Sequence, residues 1–248
     1  MKLKKVMALT MAGAMAATTL TACGSSSSTT ETTKAAETTA AAAADTTAAA
    51  AADNGSSDAE TVLQVAFENS ISEPVGQGWE KAQEIIKEKS GGKMAIEIYP
   101  DSQLGDKSSL IDSMLLGENV CTLADGAFYA DYGVPDFGIV FGPFLFDSWD
   151  QVWKLVDSDW YKEQCDKLEE KGLKIIASNW IYGERHTLTN VPVNTVDDLK
   201  GLKIRVPSNE IQSKGFDVLG ATSTGMALGD VYQALQTKTI DGAENPLA

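Results

Sequence analysis

Apolar and polar residues alternate strictly in the stretch 201–207. Three aliphatic residues are interleaved with Lys203 and Arg205, which is the period-2 pattern of a strand with one apolar and one polar face. Pro207 has no backbone N–H for a strand ladder, so we predict that the strand ends there and leaves Arg205 near its end. A guanidinium at that place offers a planar fork that matches a carboxylate. The alternative is a surface arginine on the solvent side of a sheet.

Strand-like and helix-like patterns take turns through the rest of residues 60–248. We predict strands at 61–67, 94–98, 120–124, 173–177, 202–206 and 239–241, and helices at 74–89, 106–116, 148–156, 160–171, 210–219 and 230–235. Thr195 and Asp198 predict a capping box for a short helix before the strand of Arg205. This order indicates an α/β fold with largely parallel sheets. In such sheets ligands bind beyond the carboxyl ends of strands.

The first 22 residues have the pattern of a secretory leader. Lys2, Lys4 and Lys5 precede an uncharged run of apolar and small residues, and the quartet Leu-Thr-Ala-Cys at 20–23 resembles a bacterial lipobox. We therefore predict a signal peptide at 1–22 and lipidation of Cys23, which anchors the mature chain to the membrane on its extracytoplasmic side. The alternative is a retained transmembrane helix, although the run is short for a span and lacks a positive flank on its far side.

Residues 23–59 are predicted to be a disordered tether. After Cys23 they are mostly Ser, Thr and Ala with scattered acids and no aromatic residue, so they cannot form a hydrophobic core. The flexible segment 24–59 has an expected reach of roughly 30–35 Å. That reach suits a globular domain held just off a membrane.

The charge of the chain limits its partners. The net charge is −15, with 20 Lys and Arg against 35 Asp and Glu. Removal of the three leader lysines leaves 17 against 35, a net charge of −18. Such an acidic chain argues against nucleic acid, whose phosphates need basic patches. Salt screens the repulsive field within roughly 8–10 Å, so a local arginine pair can still bind an anion inside a cleft.

Two cysteines remain besides Cys23, namely Cys121 and Cys165. A disulfide between them fits an exported protein, but both lie in apolar-patterned segments, and we favour buried thiols. The sequence contains no C-x-x-C pair and no cysteine spacing typical of a metal site. We expect neither a metal nor a cofactor.

Four stretches together resemble the solute-binding protein of a TRAP transporter, a tripartite carrier for organic acids. They are YPDSQLG at 99–105, DLKGLKIRVP at 198–207, VYQALQ at 231–236 and DGAENPL at 241–247. The resemblance implies two α/β lobes of the periplasmic-binding-protein type (type II-like), the first at 60–182 and the second, partial in this chain, at 183–248. It also implies a small and a large membrane subunit as partners, with delivery driven by a sodium gradient.

The resemblance also assigns ligand-binding residues. Arg205 and Arg185 match two arginines at the ligand carboxylate, and Asn245 matches an asparagine in a Glu-Asn-Pro turn that hydrogen-bonds it. Glu68 and Asp125 follow predicted strands where first-lobe side chains face the rest of the ligand. Acids there accept hydrogen bonds from hydroxyls and repel a second carboxylate, which favours a sugar acid such as a uronate over a C4-dicarboxylate. Helix-cap or surface roles for Glu68 and Asp125 are the alternative.

The sequence departs from the family pattern in two places. Where the family commonly has Thr-Pro-Met-Ala-Phe, residues 224–228 are Thr-Gly-Met-Ala-Leu, so an aromatic that usually lies against the ligand is absent. Trp180 or Tyr182 is a candidate replacement, and core packing is the alternative for both. Family members also continue well past the position of Ala248, which predicts an incomplete second lobe and poor stability for residues 60–248 alone.

Two other classes of function are alternatives to a TRAP receptor. An exported enzyme acting on a sugar acid would have His186 as its candidate base, but the sequence has no Gly-x-Ser-x-Gly elbow, no phosphate-binding glycine loop and no His-Glu-x-x-His pair. We therefore expect no catalysis. A solute-binding lipoprotein of an ABC transporter also closes two α/β lobes, and the pattern alone does not separate it from the TRAP type.

Overall fold

A computed structural model of the protein describes residues 58–247. The predicted signal peptide at 1–22, the lipidation of Cys23 and the tether up to residue 57 lie outside the described residues. Within 58–247, no helix is both long and apolar enough to cross a membrane.

The first sheet has three parallel strands in the order β2-β1-β3. These strands are β1 (Thr61–Ala66), β2 (Met94–Tyr99) and β3 (Val120–Cys121), and the helices between them are α1 (Pro74–Lys89) and α2 (Lys107–Leu115). Pro74 suits the first turn of α1 because that turn has no use for its missing N–H. Gly91 and Gly92, with φ angles of 62° and 82°, then turn the chain towards β2.

A helical layer follows the first sheet. It consists of α3 (Gly126–Asp131), a 3-10 helix (Pro135–Phe141), α4 (Trp149–Val156) and α5 (Asp159–Glu170). Phe128, Phe137 and Leu168 are buried in one cluster of this layer. Gly126 is in close contact with the 3-10 helix, since a Cβ added there would lie 2.4 Å from the carbonyl oxygen of Phe137. This position therefore requires glycine.

The second sheet has four strands in the order β4-β7-β5-β6. They are β4 (Glu184–Thr189), β5 (Lys203–Val206), β6 (Thr222–Gly225) and β7 (Gly242–Leu247), and its helices are α6 (Glu210–Val218) and α7 (Val231–Gln236). Only the β4–β7 pair is antiparallel. The predicted capping box of Thr195 and Asp198 is present at a 3-10 helix, Val196–Leu199.

Several predicted elements were wrong in place or extent. The predicted strand 173–177 is not a strand, because Leu173 and Ile175 pack into the helical-layer cluster instead of pairing with a sheet. The predicted strand 239–241 is displaced, since β7 begins at Gly242, and β3 is two residues long instead of five. Strand β6 and helix α3 were not predicted from the sequence.

The architecture is the predicted α/β fold with two lobes, each built on its own sheet. The strands of the first sheet lie within 61–121 and those of the second within 184–247. The two sheets direct the carboxyl ends of β1, β5 and β6 towards one cavity. The candidate site lies there.

Candidate functional site

Arg205 lies in β5, one residue before its end, and is buried, with 2% of its surface exposed. Its Nε donates to the carbonyl of Met226 at 2.9 Å and its Nη1 to the carbonyl of Glu244 at 3.1 Å. Both acceptors are neutral. The guanidinium has five N–H donors, and the other three have no acceptor within residues 58–247. The alternative of a solvent-facing arginine was therefore wrong.

The electrostatic environment of Arg205 is that of a buried cation. Burial lowers the pKa of its guanidinium, and the carboxylates of Glu68 and Glu244 oppose that shift by stabilising the charge. The neighbouring charge of Arg185 lowers the pKa further. An arginine keeps its proton at neutral pH even so. The site thus holds a desolvated positive charge with unused donors.

A small cavity lies in front of Arg205 and has room for about one water molecule, about 10 Å³. Residues from both lobes line it. They are Glu68, Asp106, Lys107, Ser108 and Phe128 from the first lobe, and Arg205, Pro207, Ser208, Met226 and Ala227 from the second. The cavity in this arrangement is far smaller than a sugar acid, so a ligand of that size requires the lobes to be further apart.

Glu68 follows the end of β1 by two residues and lies on the first-lobe wall of the cavity. Its Oε1 accepts a hydrogen bond from the backbone N–H of Leu228 in the second lobe, at 3.0 Å. The backbone N–H of Glu210 in the second lobe donates to Asp131 Oδ2 in the first, also at 3.0 Å. The two lobes are therefore linked directly across the cleft, and Glu68 is part of that link.

Asp125 lies outside the residues that line the cavity. Its Oδ1 accepts from the backbone N–H of Ala127 at 3.0 Å, which makes it the N-cap of α3. Its Oδ2 is 3.9 Å from Lys107 Nζ, and Lys107 does line the cavity. In this arrangement Asp125 has the helix-cap role that was predicted as the alternative to ligand binding. Its connection to the cavity is its charge interaction with Lys107.

Arg185 in β4 is paired within the protein and lies outside the residues that line the cavity. Its guanidinium forms a two-pronged ion pair with Glu244, with 2.7 Å between Nη2 and Oε2. Glu244 is 5% exposed and also accepts from Gln212 Nε2 at 2.9 Å. The ring of Phe141, from the first lobe, lies 5.1 Å from the guanidinium carbon of Arg185. Glu244 thus fixes Arg185 beside Arg205.

Asn245 lies in β7, opposite His186 of β4, instead of in the turn that was predicted. Its amide nitrogen donates to the carbonyl of Pro246 at 3.3 Å. The predicted turn was wrong because Glu244, Asn245 and Pro246 continue the ladder with β4. Asn245 is outside the residues that line the cavity, so its contact with a ligand stays a prediction.

The remaining candidates also lie away from the cavity. Trp180 stacks on Trp79 with 4.9 Å between ring centroids, and the hydroxyl of Tyr182 donates to Asn69 at 2.8 Å. His186 is exposed, with its Nδ1 2.7 Å from the carbonyl oxygen of Glu184. Cys121 and Cys165 are free thiols, as favoured, although both are partly buried instead of fully buried.

Besides the carboxylate of Asp106, sequence reasoning missed three cavity residues with a clear chemical character. Phe128 contributes an aromatic wall, Met226 contributes apolar surface and a carbonyl, and Lys107 contributes a second cation. Met226 lies within the stretch 224–228 that departs from the family pattern, and Lys107 follows the family-like stretch 99–105 by two residues. No local sequence pattern indicated Phe128 as a site residue, because helix α3, on which it lies, was not predicted.

Comparison with known proteins identifies a family over most of the described chain. Residues 65–248 match bacterial extracellular solute-binding protein family 7. The sialic acid-binding periplasmic protein SiaP of Vibrio cholerae is 30% identical over 197 residues, covering 77% of this chain and 60% of SiaP. The C4-dicarboxylate-binding periplasmic protein DctP of Rhodobacter capsulatus is 33% identical over 173 residues, covering 70% and 52%. The chain thus spans about half to three-fifths of these relatives.

Solved structures give the same family. A TRAP periplasmic solute-binding protein from Ochrobacterium anthropi with bound L-fuconate has a TM-score of 0.73 and 41% identity, over 75% of this chain and 62% of that one. A second, from Actinobacillus succinogenes with bound L-galactonate, has a TM-score of 0.72 and 37% identity, over 75% and 61%.

Proposed function

The chain belongs to bacterial extracellular solute-binding protein family 7, and on that premise we propose that it is an extracytoplasmic receptor that captures an organic acid and delivers it to the small and large membrane subunits of a TRAP transporter. The observation that supports this proposal best is Arg205. It is a buried guanidinium whose hydrogen bonds go to two neutral carbonyls, at a cavity between two lobes. A ligand carboxylate would supply acceptors for the three N–H donors of Arg205 that no group in the described part of the chain uses, in addition to the charges of Glu68 and Glu244 nearby.

The proposed ligand is a sugar acid, with a C4-dicarboxylate as the second candidate. The carboxylates of Glu68 and Asp106 line the cavity with Arg205. They accept hydrogen bonds from hydroxyls and repel a second carboxylate. Structures with 37–41% identity to this chain hold L-fuconate and L-galactonate, which supports the sugar acid. The relative DctP, named for C4-dicarboxylates, supports the second candidate.

The proposed mechanism is closure of two lobes on the ligand, with the lobe boundary between residues 182 and 183. Arg205 holds the carboxylate, and Arg185 and Asn245 support that end of the ligand. Glu68 and Asp125 form the first-lobe side, Glu68 by contact with hydroxyls and Asp125 through Lys107. The Glu68–Leu228 and Asp131–Glu210 links form when the lobes meet. Closure removes water, which strengthens the charge pair.

We further propose that the protein is a lipoprotein, anchored through Cys23 on the extracytoplasmic side of the cell membrane. The lipobox-like quartet at 20–23 supports this. Metabolic labelling with an alkyne palmitate analogue should mark the wild-type protein, and Cys23→Ala should abolish the label and release the protein from the membrane fraction. Labelling that persists in the variant overturns the anchor.

The ligand is tested by a thermal-shift panel on the full-length protein, followed by calorimetric titration. The panel contains L-fuconate, L-galactonate, galacturonate and succinate. We expect stabilisation by at least one sugar acid, a smaller shift with succinate, and recovery of the ligand unchanged, because the family consists of solute-binding proteins. Stabilisation by succinate alone selects the dicarboxylate. No shift with any acid overturns the proposed function, and turnover of a ligand revives the enzyme.

Delivery is tested separately in liposomes that contain the two membrane subunits. Uptake of the labelled acid should require both the receptor and an inward sodium gradient. Uptake that instead requires ATP and no sodium gradient would assign the receptor to an ABC transporter.

A further inference from the structure

Lys107 is a second cation in the cavity and has no place among the predicted binding residues. It is the first residue of α2, directly after the N-cap Asp106. Its side chain is 16% exposed and lines the same cavity as Arg205, from the first lobe. A lysine in the first turn is on the less favourable end of the helix dipole. Local helix stability therefore does not explain it.

The ammonium of Lys107 has unused hydrogen-bonding capacity. Its Nζ lies 3.9 Å from Asp125 Oδ2, which balances charge but is too long for a hydrogen bond. It also lies 4.8 Å from the centroid of the Phe128 ring, a cation–π contact. No acceptor within residues 58–247 takes any of its three N–H donors. A largely buried ammonium in that state gains from an acceptor brought by a ligand.

Acidic acceptors lie beside Lys107 on the same wall. Asp106 Oδ1 accepts from the backbone N–H of Ser109 at 2.7 Å, and Glu68 Oε1 accepts from that of Leu228 at 3.0 Å. The second oxygen of each carboxylate remains able to accept. A ligand hydroxyl both accepts and donates, so it satisfies a lysine and a carboxylate together. A second ligand carboxylate would gain Lys107 but face Glu68 and Asp106.

We propose that Lys107 is a ligand-contacting residue that donates to a hydroxyl of the bound acid, on the side of the cavity opposite Arg205. This inference rests on the proposed function and deepens it. Arg205 provides affinity for any carboxylate, whereas Lys107 with Glu68 selects acids that carry hydroxyls along the chain. Lys107 is thus a specificity-determining residue for sugar acids.

The test compares two ligands in calorimetric titrations of the full-length protein. L-Galactonate carries hydroxyls along its chain, and lactate is too short to extend far from Arg205. Lys107→Met keeps an apolar stem of similar length without the charge, and Lys107→Arg keeps a charged donor. Lys87→Met, at an exposed lysine of α1, is the matched control for loss of one positive charge.

We expect Lys107→Met to weaken L-galactonate binding by about ten- to a hundredfold, which is the range for loss of a hydrogen bond to a charged group. The same variant should weaken lactate binding by less than about threefold. Lys107→Arg should recover part of the loss, and Lys87→Met should leave both affinities unchanged. Equal losses for both ligands would show a structural role and overturn the inference. An unchanged affinity of Lys107→Met for L-galactonate would also overturn the inference, but it would leave the proposed function standing. If the wild-type protein binds no sugar acid, the proposed function and this inference both fail.

Discussion

Arg205→Met is the sharpest test of the site. The variant removes a charge that is 2% exposed and leaves an apolar side chain of similar length in β5. Loss of one partner from a buried, hydrogen-bonded charge pair costs about 2–5 kcal/mol, which corresponds to a weakening of Kd by about 30- to 5,000-fold.

The substitution also changes the stability of the fold, and that effect is separable. The carbonyls of Met226 and Glu244 each lose a donor, at a cost of about 1–3 kcal/mol for a group left unsatisfied. Relief of the buried charge offsets part of this cost. A urea unfolding curve of the ligand-free variant measures the net effect, and binding is measured below the start of unfolding.

Lys203→Met is the matched control. Lys203 is an exposed residue of the same strand, two positions earlier, and its loss changes the net charge equally. Titration calorimetry with the best ligand of the panel should give wild-type affinity for Lys203→Met. Arg205→Lys should fall between wild type and Arg205→Met, because it keeps the charge without the planar fork. A folded Arg205→Met protein that binds within threefold of wild type would show that the acid is held elsewhere.

Three further predictions concern the surroundings of the site. Glu244→Gln should lower the free energy of unfolding by about 1–3 kcal/mol, because Arg185 loses its charged partner; a urea curve that matches wild type contradicts this. Gly126→Ala should lower the melting temperature by a few degrees, since overpacking costs about 1–3 kcal/mol. The control is Gly215→Ala, in a helix with open space around it, which should raise the melting temperature or leave it unchanged. Equal shifts in the two variants would refute the packing argument. Burial raises the pKa of Cys121 to about 11, so about one thiol in a thousand is ionised at pH 8. Iodoacetamide should therefore label Cys121 roughly two-hundredfold more slowly than a free cysteine. Fast labelling of Cys121 in peptide mapping would contradict this prediction.

Local pattern predicted those elements that carry their own boundary signals. Pro74 and the glycine pair at 91–92 delimit α1, and its observed bounds Pro74–Lys89 equal the predicted ones. Pro207 ends β5 as predicted, so the place of Arg205 along the strand was correct. These signals act over a few residues, and a single sequence contains them fully.

Burial of Arg205 and the path of 173–177 depend on distant parts of the chain. The alternation in β5 predicts a polar face, but that face is covered by Met226 and Glu244, about 20 and 40 residues further along. Likewise an apolar run such as 173–177 fits either a strand or buried irregular chain, and the choice depends on the packing partners available. Only the tertiary structure supplies that information.

The two opposing electrostatic features of this protein act over different distances. The chain has a net charge of −15, and the resulting field disfavours the approach of an anion, but salt screens it within roughly 8–10 Å. Arg205 acts inside the cavity, where water and counterions are largely absent and a charge pair is much stronger. Under the proposed function, capture of an acid therefore depends on desolvated contacts made as the lobes meet, and long-range attraction contributes little. This is why removal of one buried guanidinium is expected to outweigh removal of an exposed lysine of equal charge on the same strand.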